Sequence, residues 1–239
     1  MKVVKHKEVM MDYDSLLELV KKRRSTRKFK PEPIPDEYVD KIIEVARWAP
    51  SGANSQPWEF IIIKKPELKQ KIIEYITEYN KLMRKLELLR EPALQFKWVP
   101  PGYGNASAFI LLCGDTRMKE AYPLNKVLQP KGSSIFDSSL ANTFLYMTLA
   151  AATLGLGAEW ISVTATPYVQ AFTKDLLGIP KELEIYDMLA VGYPDEEPGP
   201  RPVRALEDIA HHDGYDKAKY RTNAEIQEAI IKFSRHAEI

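Results

Sequence analysis

Two stretches near the start of the chain hold side chains whose types and spacing suit chemistry. They are Arg23-Arg24-Ser25-Thr26-Arg27 and Ala49-Pro50-Ser51-Gly52-Ala53-Asn54-Ser55-Gln56-Pro57-Trp58. Guanidinium groups offer forked donors that match a phosphate. A run of small residues lets backbone N–H groups approach a planar, acceptor-rich ring, and Asn54 and Gln56 add side-chain amides. Further along, Thr164-Ala165-Thr166-Pro167 makes a hydroxyl-rich turn, and Arg201 and Arg204 bring two late cations. Such a set supports retention of a phosphorylated ring compound whose own reactivity carries the reaction. No side chain is singled out as catalytic acid, base or nucleophile. The competing reading of the arginines is structural: Lys21 to Arg24 close a helix, where cations oppose the helix dipole.

Other sources of chemistry are missing from the sequence. It contains no phosphate-loop motif, no G-x-G-x-x-G after a strand and no G-x-S-x-G elbow. His211 and His212 precede Asp213, but neighbouring side chains diverge and the spacing matches no common metal set, so a tail contact is expected. A single cysteine, Cys113, excludes an intrachain disulfide and a Cys-based zinc site. It lies inside an apolar run and reads as a packed, inert thiol.

With 239 residues, 45% of them hydrophobic, the chain can bury one sizeable core. A net charge of +1 argues against bulk attraction to nucleic acid or an anionic membrane. Residues 1–7 lack the apolar run of a signal peptide, so a cytoplasmic location is expected. Ser138 to Ala158 carries no charge and is long enough to cross a bilayer. It also contains Ser138, Ser139, Asn142, Thr143, Thr148 and Thr153, which lipid would leave unpartnered. A helix buried within a folded protein fits it better.

The elements that must position the two stretches can be read in order. Residues 12–24 form an amphipathic helix opened by a Ser15/Glu18 capping box. After a proline-rich connector, Pro35 stands at the first position of a second helix, whose core face is Val39, Ile42, Ile43 and Ala46. Trp58 to Ile63 is a strand, and a charged helix from about 67 to 90 follows, with Leu68, Ile72, Ile76, Tyr79 and Met83 on one side. The aromatic-rich segment 95–105 is a loop, and Ala108 to Cys113 is a strand buried on both faces. Residues 117–136 are irregular; then come a helix at 138–154 and a strand at 159–163. Thr166 caps a helix with Phe172, Leu176 and Leu177 facing inward. A last strand spans 185–193, and a weak helix lies at about 223–235.

The order and spacing of these motifs resemble the FMN-dependent nitroreductase family. The likeness runs from about residue 13 to 209 and also rests on Gly155-Leu156-Gly157 with Trp160, Leu177-Gly178-Ile179-Pro180 and Val191-Gly192-Tyr193-Pro194. It implies an α+β fold with a mainly antiparallel central sheet flanked by helices. It also implies an intertwined homodimer with FMN at the subunit interface. On this reading the chain is one nitroreductase-like domain, 1–239, with a lid-like segment at about 67–107 and a C-terminal extension at about 195–239. Arg23, Arg24, Ser25 and Arg27 would meet the FMN phosphate and ribityl chain, and Pro50, Ser51, Gly52, Asn54 and Gln56 would line the isoalloxazine. Thr164, Ala165 and Thr166 would approach its N5 side, and Arg204, or alternatively Arg201, would return to the phosphate.

The function implied is an FMN-dependent oxidoreductase that uses NAD(P)H to reduce small nitroaromatic or quinone-like acceptors by a ping-pong mechanism. Alternatives are a non-catalytic FMN-binding storage or regulatory protein, a reductive dehalogenase, or a flavin-cleaving enzyme. The lid region holds Glu78, Tyr79, Lys81 and Arg84, out of the register with which iodotyrosine dehalogenases grip an amino acid.

Overall fold

The apolar runs become the four strands of one antiparallel sheet. These are β1 (Trp58–Ile63), β2 (Ala108–Asp115), β3 (Gly157–Ile161) and β4 (Leu183–Gly192), in the spatial order β1-β2-β4-β3. They are seen in a computed structural model that describes residues 12–92, 95, 102–199 and 201–234. Its contacts divide the chain into two units, Met1–Ile76 with Pro101–Glu196, and Thr77–Pro100 with Glu197–Ile239. The sheet belongs to the first unit.

β2 is buried from Ala108 to Gly114, without the polar alternation usual in an antiparallel strand. Both faces are covered. Ile110 and Leu112 join Phe136, Leu140, Phe144 and Met147 in the main core. Phe109, on the other face, lies edge-on to Tyr103 with Lys69 Nζ over its ring. Cys113 is fully buried, and burial pushes its thiol up to about 12, so at neutral pH it holds its proton and is no nucleophile.

One helix, α5, covers the core face; the helices before it are α1 (Tyr13–Lys22), α2 (Asp36–Ala46), α3 (Pro66–Glu87) and α4 (Leu124–Val127). α5 runs from Pro130 to Thr153 and so begins well before the expected Ser138. Pro130 stands at its first position, where a missing N–H costs nothing. Lys131, Ser133, Ser134 and Asp137 then face outward, which disguised the first turns as irregular chain. Its buried hydroxyls are satisfied within the helix: Thr143 Oγ1 donates to the Ser139 carbonyl at 3.0 Å and Thr148 Oγ1 to that of Leu145 at 2.8 Å. Among the described residues no helix is long and apolar enough to cross a membrane.

Other boundaries move by a residue or a turn. α1 is capped by Asp12, whose Oδ1 accepts from the Ser15 N–H at 2.7 Å; the carboxylate takes the place expected for a Ser15/Glu18 box. Pro35 is the N-cap of α2 rather than its first residue, because its ψ of 143° is extended. Val39, Ile42 and Ala46 are buried as expected. β3 starts at Gly157, and Ser162 and Val163 fall in a single 3-10 turn beyond it. On α6 (Pro167–Leu177) the buried residues are Val169 and Thr173, while Phe172 points out and meets the Tyr168 and Tyr75 rings at 4.9 and 5.3 Å. Gly155 and Gly178 end α5 and α6 with positive φ. In the second unit, α7 (Asn223–Ser234) opens on a capping box: Glu225 Oε2 accepts from Thr222 N–H and Thr222 Oγ1 accepts from Glu225 N–H. His211 Nδ1 accepts from the Asp216 N–H, a contact within the tail.

Two acids lie inside the sheet. Glu159, on β3, has an Oε2 that is cut off from solvent and has no partner. Desolvation raises its carboxyl to about 7, with Arg27 pulling it down and Glu196 pushing it up. Asp187, on β4, is raised by desolvation to about 6 despite accepting a hydrogen bond from Trp160 Nε1. A bulge sits beside it: Leu112 pairs with Asp187 but Cys113 with Ile185, leaving Tyr186 as the extra residue. That extra residue lets the adjacent Tyr186 and Asp187 line one cleft. A raised carboxyl means that the folded chain keeps a proton the unfolded chain has released. The stability it contributes is therefore complete below the ordinary carboxylate range and is lost as pH rises through about 6 to about 7. The midpoint of thermal unfolding should fall between pH 5 and pH 7.5, by on the order of 2 kcal/mol in stability. The Glu159→Gln, Asp187→Asn double variant should show a flat profile over that range, apart from the contribution of other groups.

Candidate functional site

The arginine cluster forms a strap across the start of β3. Arg23 closes α1, its N–H donating to the Leu19 carbonyl at 2.9 Å. Ser25 then pairs in parallel with Ala158, and the Thr26 N–H donates to the Ala158 carbonyl at 3.0 Å. The N–H groups of Arg27 and Lys28 both donate to Glu196 Oε1, at 2.6 and 3.1 Å. Lys30 N–H reaches the Tyr193 carbonyl, so the strap is stitched to the chain beyond β4 as well. Thr26 is the plug: it is buried, and a Cβ at Gly157 would lie 2.6–2.7 Å from three of its side-chain atoms. Only glycine at 157 leaves that room. Arg23, Arg24 and Ser25 are half-buried and Arg27 is exposed. The structural role foreseen for the cations at the end of α1 is therefore real for Lys21 and Lys22, which lie in its last turn, while Arg24 to Arg27 have left the helix.

The second stretch is a loop moulded on α5. Asn142 Nδ2 donates to the Pro50 carbonyl at 3.0 Å, and the Gly52 N–H donates to Ser139 Oγ at 3.1 Å. Ser51 Oγ accepts from the Gln56 N–H at 3.0 Å and closes the loop on itself. Ala53, Asn54 and Gln56 have φ of 53°, 51° and 45°, a left-handed backbone that non-glycine residues adopt at a cost. The glycine is not where the left-handed turn is. Gly52 is needed for space instead, since a Cβ there would fall 2.2 Å from Ile135 Cγ2. Its N–H is already engaged by Ser139. Ser55 and Pro57 are buried, and Ser55 Oγ lies 3.4 Å from the Tyr122 hydroxyl. Asn54 and Gln56 are left exposed.

The third stretch follows β3. Thr164 is buried and its Oγ1 donates to the Ile161 carbonyl at 2.9 Å. Thr166 is the N-cap residue of α6, but its hydroxyl donates to the Val163 carbonyl at 2.7 Å and caps no helical N–H. Ala165 borders a cleft of about 330 Å3 with Phe136, Asp137, Leu140, Tyr186 and Asp187. The N-terminal half of α5 thus carries the loop through Ile135, Ser139 and Asn142 and faces the turn across this cleft. The strap lies towards the other end of α5, where Leu156 N–H donates to the Ala151 carbonyl at the entry to β3. Nine to twelve residues of helix separate the two places, about 14–18 Å. In the second unit, Arg201 is exposed and Arg204 Nη2 donates to the Asp208 carbonyl at 2.9 Å.

Sequence reasoning passed over Ser139, Asn142, Glu159 and Asp187 as site residues. The two acids had a signal: Glu159 is the single charge of β3, and Asp187 stands in the apolar run that follows Glu184 in β4. Ser139 and Asn142 had only a weak one, polar residues spaced along an uncharged helix.

The sequence pattern of the Nitroreductase family matches residues 20–193, which takes in strap, loop and turn. A protein of Archaeoglobus fulgidus, named as a candidate NADH dehydrogenase/NAD(P)H nitroreductase, is 30% identical over 184 residues, covering 77% of this chain and 88% of its own. Iodotyrosine deiodinase 1 of Rattus norvegicus is 32% identical over 193 residues, 78% of this chain and 65% of that protein. The crystal structure of oxidised iodotyrosine deiodinase bound to FMN and 3-iodo-L-tyrosine superposes with a TM-score of 0.66 at 26% identity, covering 84% of this chain and 100% of that one. With an antiparallel sheet, a strap and a small-residue loop in the order that resemblance required, and a family match over most of its length, the chain belongs to the nitroreductase family.

Proposed function

We propose that the protein is an FMN-dependent oxidoreductase that takes electrons from NAD(P)H and passes them to a small nitroaromatic or quinone-like acceptor. The observation that carries this reading is the loop at 50–56. It spends backbone strain and two hydrogen bonds to α5 on a conformation that leaves the amides of Asn54 and Gln56 facing outward. Amides held clear of the core in this way suit the donor and acceptor edge of a flavin ring. The strap supplies the complementary half, cations for a phosphate, with Arg27 and the half-buried Arg23 and Arg24 as candidates. When bound, FMN supplies the hydride and electron chemistry, and the protein's part is to hold and orient it. Ser51, Thr164, Ala165 and Thr166 are proposed to border the ring; the hydroxyls of Thr164 and Thr166 are turned to backbone carbonyls, which leaves backbone groups as the contacts there.

The reading includes a homodimer. Leu16, Val20, Val45 and Leu145 on α1, α2 and α5, and Trp48 just beyond α2, are large apolar side chains left exposed, and a second copy is the occupant that would cover them. A dehalogenase is the second reading, favoured by the identity to iodotyrosine deiodinase. Against it, Glu78 is already paired with Lys81 at 2.7 Å, one turn along the same helix.

Protein purified from the cell should release FMN, identified by mass spectrometry; FAD, or no flavin in folded protein, would end this proposal. Arg27→Ala removes a guanidinium but leaves the backbone bond to Glu196, so it should weaken FMN binding about tenfold, or about 1.4 kcal/mol, with little loss of stability. Because the chain offers one loop, one turn and no separate nicotinamide fingerprint, donor and acceptor should occupy one place in turn. Double-reciprocal rate plots at several acceptor concentrations should then be parallel, and intersecting lines would speak for two sites. A halotyrosine included among the acceptors tests the second reading in the same assay.

A further inference from the structure

Three residues of α5 meet the loop at 50–56 through different chemistry. Ile135 fills the space that a Cβ at Gly52 would need, with its Cγ2 2.2 Å from that position. Ser139 Oγ accepts from the Gly52 N–H at 3.1 Å, while donating its own proton to the Ile135 carbonyl at 2.8 Å. Asn142 Nδ2 donates to the Pro50 carbonyl at 3.0 Å. Positions 135, 139 and 142 follow the i, i+4, i+7 spacing of one helix face. The helix therefore presents a steric stop and an acceptor to Gly52 and a donor to Pro50. Tyr122 adds a fourth contact from outside the helix, its hydroxyl 3.4 Å from Ser55 Oγ.

The loop needs such a mould. Three of its residues, Ala53, Asn54 and Gln56, sit at positive φ, where an L-residue is disfavoured by roughly 1 kcal/mol or more apiece. Its internal bonds are those of one tight turn, Asn54 N–H to the Ser51 carbonyl at 3.1 Å and Ser55 N–H to the Gly52 carbonyl at 3.0 Å, together with Gln56 N–H to Ser51 Oγ and a long 3.4 Å contact from Gln56 Nε2 to the Asn54 carbonyl. A loop strained at three residues, and held from within by two turn bonds and one good side-chain bond, relies on its surroundings to keep that shape. The hydroxyl orientation of Ser139 is fixed too, since its proton is committed to Ile135 and its lone pair is the part that faces Gly52.

We propose that the Ile135–Ser139–Asn142 stripe of α5 is the positioning device of the cofactor site, holding the loop in the left-handed conformation from which Asn54 and Gln56 meet the flavin. The inference rests on the FMN reading given above. It assigns no contact with the cofactor to the stripe; these residues act through the loop. The stripe is also why α5 carries Ser and Asn on a face where a helix covering a sheet would otherwise carry alanine or leucine.

The test uses the full chain stripped of flavin and titrated with FMN, with Ser139→Ala and Asn142→Asp as the variants. Ser139→Ala deletes the acceptor, and Asn142→Asp keeps the shape but turns an oxygen towards the Pro50 carbonyl. Each should raise the FMN dissociation constant tenfold or more and alter the visible absorption band of the flavin bound at saturation. The thermal midpoint of the flavin-free protein should stay near wild type. Adding Ala53→Gly, which makes the left-handed turn less costly, should recover at least threefold of the lost affinity in each variant. Unchanged affinity and spectrum in both variants, in a protein whose wild type binds FMN, would overturn the proposal; so would a loss that Ala53→Gly leaves untouched. If the wild type binds no FMN, the functional reading fails first. Hydrogen exchange then decides the stripe alone: faster exchange of the Gly52 amide in Ser139→Ala means that the helix holds the loop, and equal exchange means that it does not.

Discussion

The structure depends on how one helix covers one face of a four-stranded sheet. α5 lays Phe136, Leu140, Phe144 and Met147 against Ile110, Leu112, Leu189 and Val191, all of them buried. Phe144 also stacks on Trp160 at 4.0 Å between ring centroids. Burial of each such side chain is worth about 1.5–3 kcal/mol, so this contact is a major block of stabilisation in the first unit. α1, α2 and α4 in turn pack on the helix. Shortening or tilting α5 would displace the loop and the cleft beside the turn together, because its residues from Ile135 to Asn142 touch both.

This arrangement resolves an apparent conflict in composition. A helix uncharged from Ser138 onward looks suited to lipid, yet five of its six Ser, Thr and Asn residues from there on donate to carbonyls within the helix. Thr143 and Thr148 bond to carbonyls three or four residues back and so enter an apolar environment satisfied. Ser139, while donating to Ile135, also accepts from the loop, and Asn142 donates to it. The same residue types thus divide between hiding a hydroxyl in the core and shaping a loop. Only the three-dimensional context says which does which.

Much of the fold was legible in the sequence, for identifiable reasons. β1 appears where Trp58 to Ile63 placed it, and the buried face of α2 is the one its spacing specified. Continuous burial of β2 followed from an apolar run with no polar alternation. Boundaries failed where composition misleads. Outward-facing Lys131, Ser134 and Asp137 hid the first turns of α5, and Asp12 outcompeted Ser15 as a cap because a carboxylate is the stronger acceptor. The exposed Phe172 belongs to a ring cluster with Tyr75 and Tyr168, an arrangement that helical periodicity does not encode. For the site, the sequence supplied the strap, loop and turn but not their supports. Gly52 is the clearest case: a glycine among amides invites the idea of an N–H free for a ring, whereas here it makes room for Ile135 and its N–H is taken by Ser139.

The strap and the loop are held by opposite physical means, and this bears on how the site behaves. The strap is fixed by backbone bonds and by electrostatics: Glu196 collects two N–H groups, and the partnerless carboxyl of Glu159 lies within the influence of Arg27 and Glu196. Protonation of Glu159 in the neutral range therefore changes the charge that faces the strap, since an ionised Glu159 repels Glu196 and attracts Arg27. The loop is fixed by shape and by neutral hydrogen bonds to α5, none of which titrates near neutrality. A change of pH in the neutral range thus acts on the strap and leaves the loop in place. Strap and loop are set by separate parts of the chain, joined through the sheet and the helix that covers it.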